Sequence, residues 1–199
     1  RRRAGTSVRS AMSPTLPPWR PLLKAACQRE GRSVSARWLQ LATVSAGGNP
    51  RVRTLVRRGS ADADQLDLFS DGRSSKINDL HHQPAAELCW LFPKARQQHR
   101  LRGTMRLITT HDDPQTCQAA WEGLTATGRA VWGWPTPEQP LNPAAEFPRE
   151  LESTTPLPSH FMVLRMQVLG VERLNLGTHP HQRWRWVAET GWREEPLNP

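Results

Sequence analysis

The feature that most limits the fold of this chain is a succession of short strand-like runs broken by turn signals, with few stretches of helical period. Ala86 to Phe92 is an almost continuous apolar run, Pro93-Lys-Ala-Arg96 turns the chain, and His99 to Thr109 alternates with Leu101, Met105 and Leu107 along one side. Earlier, Trp38, Gln40, Ala42 and Val44 share one face of a strand, and Leu39, Leu41 and Thr43 share the other. That mostly apolar run suits a strand covered on both sides. Ala46-Gly-Gly-Asn-Pro50 reads as a hairpin turn into Val52, Thr54 and Val56, and Ser60 to Asp64 as a second turn into Leu66-Asp-Leu-Phe69. His160 to Val168, Val171 to Leu176 and Arg183 to Val187 give three more strands, making about eight.

Helical spacing is confined to three places. Trp19, Leu22, Leu23 and Ala26 predict a helix from about Pro18 to Glu30, stopped by Gly31. Arg73 to His81 predicts a short helix closed before Pro84, and Asp113-Pro114 supplies an N-cap and a first-turn proline for a helix carrying Cys117, Ala120, Trp121 and Leu124. Residues 133–158 hold seven of the eighteen prolines and read as a long surface connection. The class is therefore mainly β, an antiparallel barrel with peripheral helices.

With 199 residues, one domain over 17–199 is the expectation, preceded by a basic, flexible leader over 1–16. The formal charge of +9 points to anionic partners, either nucleic acid or a phosphate-bearing ligand, although Arg1, Arg2, Arg3 and Arg9 of that excess lie in the leader. The leader lacks a signal-peptide core, and no run approaches the roughly 20 apolar residues that span a bilayer. A cytoplasmic protein is expected, with a transit-peptide remnant as the alternative source of a basic, acid-free leader. Cys27, Cys89 and Cys117 are odd in number and widely spaced, which fits reduced, mostly buried thiols and no metal site. The chain has nine Trp and no Tyr, so no role can fall to a tyrosine hydroxyl.

Basic and hydroxyl groups recur at strand ends. Arg73-Ser74-Ser75-Lys76 opens its helix, where free backbone N–H groups and the positive end of the dipole favour an anion. A solvated helix start with a serine cap is an equal reading of that tetrad taken alone. Arg53-Thr-Leu-Val-Arg-Arg58 shifts the balance: Arg53, Leu55 and Arg57 leave one side of the strand and Thr54, Val56 and Arg58 the other, and strand pairing can bring Arg53 beside the helix start. Arginine stems lying over apolar surface are the plainer alternative. Gln98 offers an amide to the polar edge of a planar ligand, and Trp90 or the Trp132/Trp134 pair an aromatic cover, although singly each reads more simply as ordinary structure.

Taken in order, the phosphate tetrad, the arginine strand, Cys89-Trp-Leu-Phe-Pro93, Gln98 to Gly103 and Trp134-Pro135 resemble the FMN-binding split β-barrels of the pyridoxamine 5'-phosphate oxidase-like family. The resemblance spans roughly residues 19 to 199. It implies a homodimer with two FMN sites built from both subunits. Arg53, Thr54, Leu55, Val56 and Ser70 would border the cofactor, Arg53, Arg73, Ser74 and Lys76 would surround its phosphate, Gln98 would lie near the flavin ring, and Arg183 would match a late FMN-contacting arginine. Arg58, Arg129 and His181 would be candidate substrate anchors. Arg58 stands where the family has a lysine, the family's substrate tyrosine has no counterpart, and His179-Pro-His181-Gln-Arg183 lacks the first arginine of the oxidase tail motif.

Three functions follow. The first is a flavoprotein in which FMN accepts a hydride at N5, the protein supplying position and electrostatics. The second is an FMN or phosphate-ligand binder without B6 turnover, or a flavin reductase-like protein. The third is a nucleic-acid-binding barrel, suggested by the charge and by Arg183-Trp-Arg-Trp186, since stacking with cations holds single strands.

Overall fold

In a computed structural model of the chain, residues 16–58 and 64–199 are described. The leader, apart from Leu16, and most of the turn expected at Ser60 to Asp64 lie outside these residues. The order is α1 (Trp19–Glu30), β1 (Trp38–Val44), β2 (Pro50–Val56), β3 (Gln65–Asp71), α2 (Ser75–His82), β4 (Ala85–Phe92), β5 (Gln97–Thr109), α3 (Pro114–Glu122), α4 (Ala126–Arg129), β6 (Phe161–Asn175), β7 (Gln182–Val187) and β8 (Glu195–Leu197). The fold is a mainly antiparallel barrel with peripheral helices.

One sheet carries all the strands in the order β2-β1-β4-β5-β6-β7-β8, and β3 pairs with β6 off that path. The 15-residue β6 makes this possible. Its first half pairs with β3 from Asp71↔Phe161 to Gln65↔Gln167, and its second half pairs with β7 from Gly170↔Val187 to Asn175↔Gln182. Among the described residues, one isolated bridge, Arg57↔Leu68, joins the chain just after β2 to β3. The expected strands over His160 to Val168 and Val171 to Leu176 are thus one strand. Leu169-Gly170 is a β-bulge rather than a turn, facing the register shift at Arg102/Gly103. Gly103 is obligatory there, because a Cβ would meet the Gln167 carbonyl oxygen at 2.0 Å.

The barrel encloses Leu39, Leu41, Leu66, Leu68, Leu88, Leu101, Met166 and Val171, with Trp19, Leu23 and Ala26 of α1 and Ile77 and Leu80 of α2 packed into the same core. A second cluster, including Ile108, Cys117, Trp121, Trp132, Phe161 and Val163, seats α3 on the other face of β5 and β6. Asp113 caps α3 by accepting from the Thr116 N–H at 3.0 Å, and Pro114 follows it. Apart from Gly133, which ends a 3-10 turn over Ala130–Gly133, residues 133–158 form the expected long connection without regular secondary structure.

Two expectations change. β1 is not covered on both sides: Leu39, Leu41 and Thr43 are buried, whereas Trp38 is 48% exposed and Ala42 and Val44 are also exposed. Trp90 and Trp132 are core residues whose indole N–H groups donate to the carbonyls of Ser35 and Ser70, which leaves Trp134 as the exposed member of the three tryptophans considered as ring covers. Among the described residues no helix is long and apolar enough to cross a membrane.

Candidate functional site

The end of β3, the turn after it and the first turn of α2 place Ser70, Ser74 and Lys76 together. Lys76 Nζ donates to Ser74 Oγ at 2.7 Å and to Ser70 Oγ at 3.2 Å, and both hydroxyls are buried. No carboxylate pairs with this ammonium among the described residues. Burial pushes the Lys76 ammonium below its ordinary range, Arg53 pushes it the same way, and Glu138 and Asp71 pull it back. A cation that is partly desolvated, repelled by a second cation and held only by hydroxyls is poised to receive an anion.

Arg53 comes to this cluster from β2. Its Nη1 donates to Thr43 Oγ1 at 2.6 Å, its Nη2 donates to Asp79 Oδ2 at 3.2 Å, and Thr43 Oγ1 donates to the same Asp79 oxygen at 2.8 Å. Thr43 and Asp79 are buried, so the guanidinium is locked in direction by a closed network. Arg73 is placed in the turn just before α2 and is already committed. Its Nε and Nη2 grip Asp71 in a bidentate pair, and Nη2 also donates to the Trp134 carbonyl. Burial works to raise the Asp71 carboxyl, and the hydrogen bonds from Arg73 overrule it, holding Asp71 below the ordinary carboxylate range.

A second polar cluster lies on β5, β6 and β7. Gln98, Arg100, Glu172, Leu174 and Arg183 line a hollow of about 110 Å³. Glu172 accepts from Arg100 at 2.5 Å, from Arg102 at 2.9 Å and from Arg183. Burial raises the Glu172 carboxyl, but hydrogen bonds from Arg183 and Arg100 outweigh it and hold the group below its usual range. Gln98 and Arg183, read from sequence as two separate cofactor contacts, are therefore brought into one row of the sheet, with Leu174 of β6 between them.

The two clusters face opposite ways. Arg53, Leu41, Leu88 and Leu101 form one row across four strands, with the three leucines fully buried. Gln98 lies three residues from Leu101 on an unbroken stretch of β5, so its side chain leaves the other face, in a row with Leu91, Leu174 and Arg183. One copy of the chain therefore cannot present both clusters to the same small ligand. That outer face also carries Trp38, Val52 and Leu91, all large, apolar and exposed.

The remaining expected residues are scattered. On β2, Thr54 is exposed, Val56 is half-buried and Leu55 packs against the barrel core. Arg58 is placed near α4, where its Nη1 would lie 2.7 Å from a Cβ at Gly128, and burial followed by Arg37 lowers its guanidinium. Arg129 is only 5% exposed and spends its guanidinium on the carbonyls of Trp121 and Glu122 at the end of α3 while stacking on Trp121. His181 is exposed, with its Nδ1 on the Thr178 carbonyl. The Arg/Trp segment that suggested nucleic acid is occupied internally: Arg183 holds Glu172, Trp186 is buried, and Trp184 stacks with Arg173.

Thr43, Asp79, Arg100 and Glu172 belong to these two clusters and were missed by sequence reasoning. Asp79 left one signal, an acid between Ile77 and Leu80 on the buried side of a short helix and three residues after Lys76. Glu172 left none, because one acid beside Arg173 on a strand reads as surface.

Comparison with known proteins identifies relatives of the whole chain. Residues 16–109 match the family model described as pyridoxamine 5'-phosphate oxidase, FMN-binding domain. The chain is 30% identical over 194 residues to pyridoxine/pyridoxamine 5'-phosphate oxidase 2 of Arabidopsis thaliana, covering 92% of this chain and 97% of that protein. The crystal structure of a pyridoxamine 5'-phosphate oxidase-related, FMN-binding protein from Nostoc punctiforme superposes with a TM-score of 0.84 at 35% identity, over 93% of this chain and all of the other. PhzG from Burkholderia lata, solved with tetrahydrophenazine-1-carboxylic acid, shares the fold with a TM-score of 0.76 at 18% identity, over 94% of each chain.

Proposed function

The chain belongs to the FMN-binding pyridoxamine 5'-phosphate oxidase family, and we propose that it is a homodimeric flavoprotein whose two FMN sites each combine the Lys76 cluster of one subunit with the Gln98–Arg183 hollow of the other. The observation that carries this reading is Lys76 itself, a half-buried cation resting on Ser70 and Ser74 beside Arg53 and with no carboxylate in contact. Ser70, Ser74, Lys76 and Arg53 would hold the FMN phosphate, with Asp79 and Thr43 fixing the direction of Arg53. Arg73 would act less as a ligand than as a brace, since Asp71 already holds it. Gln98 would supply an amide to the ring system, and Arg183, held by Glu172, would border it. Thr54, Leu55 and Val56 would line the β2 edge of the same site.

Bound FMN supplies a hydride acceptor, and the protein's share of the chemistry is to position it, exclude water and neutralise its phosphate. The opposite orientation of the two clusters supports the dimer, because a second copy packed on the apolar outer face is what brings an outer cluster to an inner one. A two-fold contact of that kind is self-complementary and builds two equivalent sites.

A second reading, FMN binding without oxidation of a B6 phosphate, draws support from the substrate anchors. Arg129 is buried against Trp121, His181 hydrogen-bonds its own loop, and the chain has no tyrosine. The test has two steps. Protein mixed with FMN and passed through gel filtration should keep a structured flavin spectrum at about one FMN per chain, as one shared site per subunit requires. Loss of all flavin at low and moderate salt overturns the assignment. Oxygen uptake with pyridoxamine phosphate then separates an oxidase from a binder, since only the oxidase consumes oxygen.

A further inference from the structure

Residues 132–138 form a strap across the mouth of the Lys76 cluster. Trp132 Nε1 donates to the Ser70 carbonyl at 3.2 Å, Arg73 Nη2 donates to the Trp134 carbonyl at 3.1 Å, and Ser75 Oγ donates to Glu138 Oε1 at 2.7 Å. The strap thus touches three consecutive parts of the anion cluster, and its last contact is a carboxylate. Glu138 sits at φ 65°, in the left-handed region that side chains rarely adopt, so its place is held by the surrounding contacts rather than by backbone preference. Ser75 is the first residue of α2, next to Lys76, where the free N–H groups of the first turn point outward. Asp71 is locked on Arg73, and Asp79 is locked on Arg53 and Thr43. Among the carboxylates at this cluster, Glu138 is the one held by a single neutral hydroxyl and exposed to solvent.

We infer that Glu138 is an affinity-setting residue for the phosphate of FMN: its carboxylate holds the Ser75 hydroxyl at the mouth of the Lys76 cluster and must release it before a phosphate oxygen can use that donor. The inference rests on the FMN reading above. Two anions cannot share one hydroxyl proton, and a carboxylate left beside an arriving phosphate repels it. The charge of Glu138 also acts on Lys76, so part of the field that would attract the phosphate is already spent. The wild-type site therefore binds FMN more weakly than its donors allow, and the strap must loosen at Glu138 as the cofactor enters.

The experiment is a titration of flavin-free wild type, Glu138→Gln and Glu138→Ala with FMN, followed by flavin fluorescence, with riboflavin as the ligand that lacks the phosphate. Glu138→Gln removes the charge and keeps a group able to accept from Ser75, whereas Glu138→Ala removes both. Both variants should bind FMN about three- to tenfold more tightly than wild type, while riboflavin affinity stays the same. Unchanged or weaker FMN binding by Glu138→Gln overturns the inference and makes Glu138 a staple for the loop. Equal gains for FMN and riboflavin also overturn it, because the effect would then not pass through the phosphate. If wild type binds FMN and Glu138→Gln does not improve on it, only this inference falls. If neither protein holds FMN at any salt, the site assignment falls with it.

Discussion

The Lys76 cluster and the Glu172 cluster contain similar groups arranged to opposite ends. Around Glu172, three arginines converge on one carboxylate, and each positive group has an acid partner within the protein. Around Lys76, the nearest hydrogen-bond partners are two hydroxyls, and the neighbouring cation Arg53 repels it. In the first arrangement every cation touches a carboxylate, although one carboxylate serves three of them, whereas in the second Lys76 touches none and a ligand anion can supply it. A count of basic residues does not separate these cases; the identity of the acceptor does. A site that holds one cation, Lys76, on hydroxyls alone has given up stability in the free protein for affinity toward an anion.

The sharpest way to break the comparison is to keep the two clusters apart. Trp38, Val52 and Leu91 are exposed on the face that carries Gln98, and Leu91 pairs with Gln98 directly. Leu91→Arg places a charge at the centre of this apolar face and should give a monomer by light scattering that retains no flavin, with the barrel intact by circular dichroism. A dimeric Leu91→Arg protein that still holds FMN would show that the two clusters do not meet across this face.

The next two predictions set the clusters against each other. Lys76→Met removes a desolvated cation with no acid partner, so thermal stability should stay level or rise slightly while FMN affinity falls about 10–100-fold, the loss of roughly 1.5–3 kcal/mol carried by a charged hydrogen bond. Glu172→Gln should do the reverse. It leaves Arg100, Arg102 and Arg183 around a neutral amide, and because the side chains of these arginines are 32% to 51% exposed the cost is about 1–2 kcal/mol, seen as a fall of a few degrees in the Tm of the flavin-free protein. If both substitutions lower Tm equally, the contrast between a completed and an open cluster is false.

The sequence revealed strands and donors more readily than it revealed what holds them. β1 to β5 are legible because alternation and turn residues mark them locally, and the phosphate donors are legible because hydroxyls and cations gather at one helix start. β6 is misread as two strands, since Leu169-Gly170 resembles a turn until the bulge opposite Gly103 is seen. β8 passes unseen because three residues centred on Pro196 carry no alternation, and only pairing with β7 makes them a strand. Arg129 shows the same limit in a side chain. The family resemblance offers Arg129 as a substrate anchor, but its guanidinium folds back onto the carbonyls at the end of α3, and that use depends on where Trp121 ends up. The acids of the two clusters, Asp79 and Glu172, are tertiary partners whose pairing across 26 or 72 positions cannot be read locally, and only Asp79 leaves a trace, as an acid on the buried side of α2.

The smallest expected effect concerns the protonation of Lys76. Burial and then Arg53 lower its ammonium in the free protein. FMN binds the protonated form, so affinity should be flat near neutrality and decline as pH rises through the lowered value, before an ordinary lysine with a pKa of about 10.4 would titrate. Above that point each pH unit costs up to about tenfold in Kd, until the bound lysine, stabilised by the phosphate, also loses its proton. Lys76→Arg keeps its charge throughout and should remove the alkaline decline, whatever it does to affinity at pH 7. Fluorescence titrations of the two proteins from pH 7 to about 10 decide the matter. Parallel curves would mean that some other group sets the pH dependence, and that the open cation of this cluster is not the one the phosphate meets.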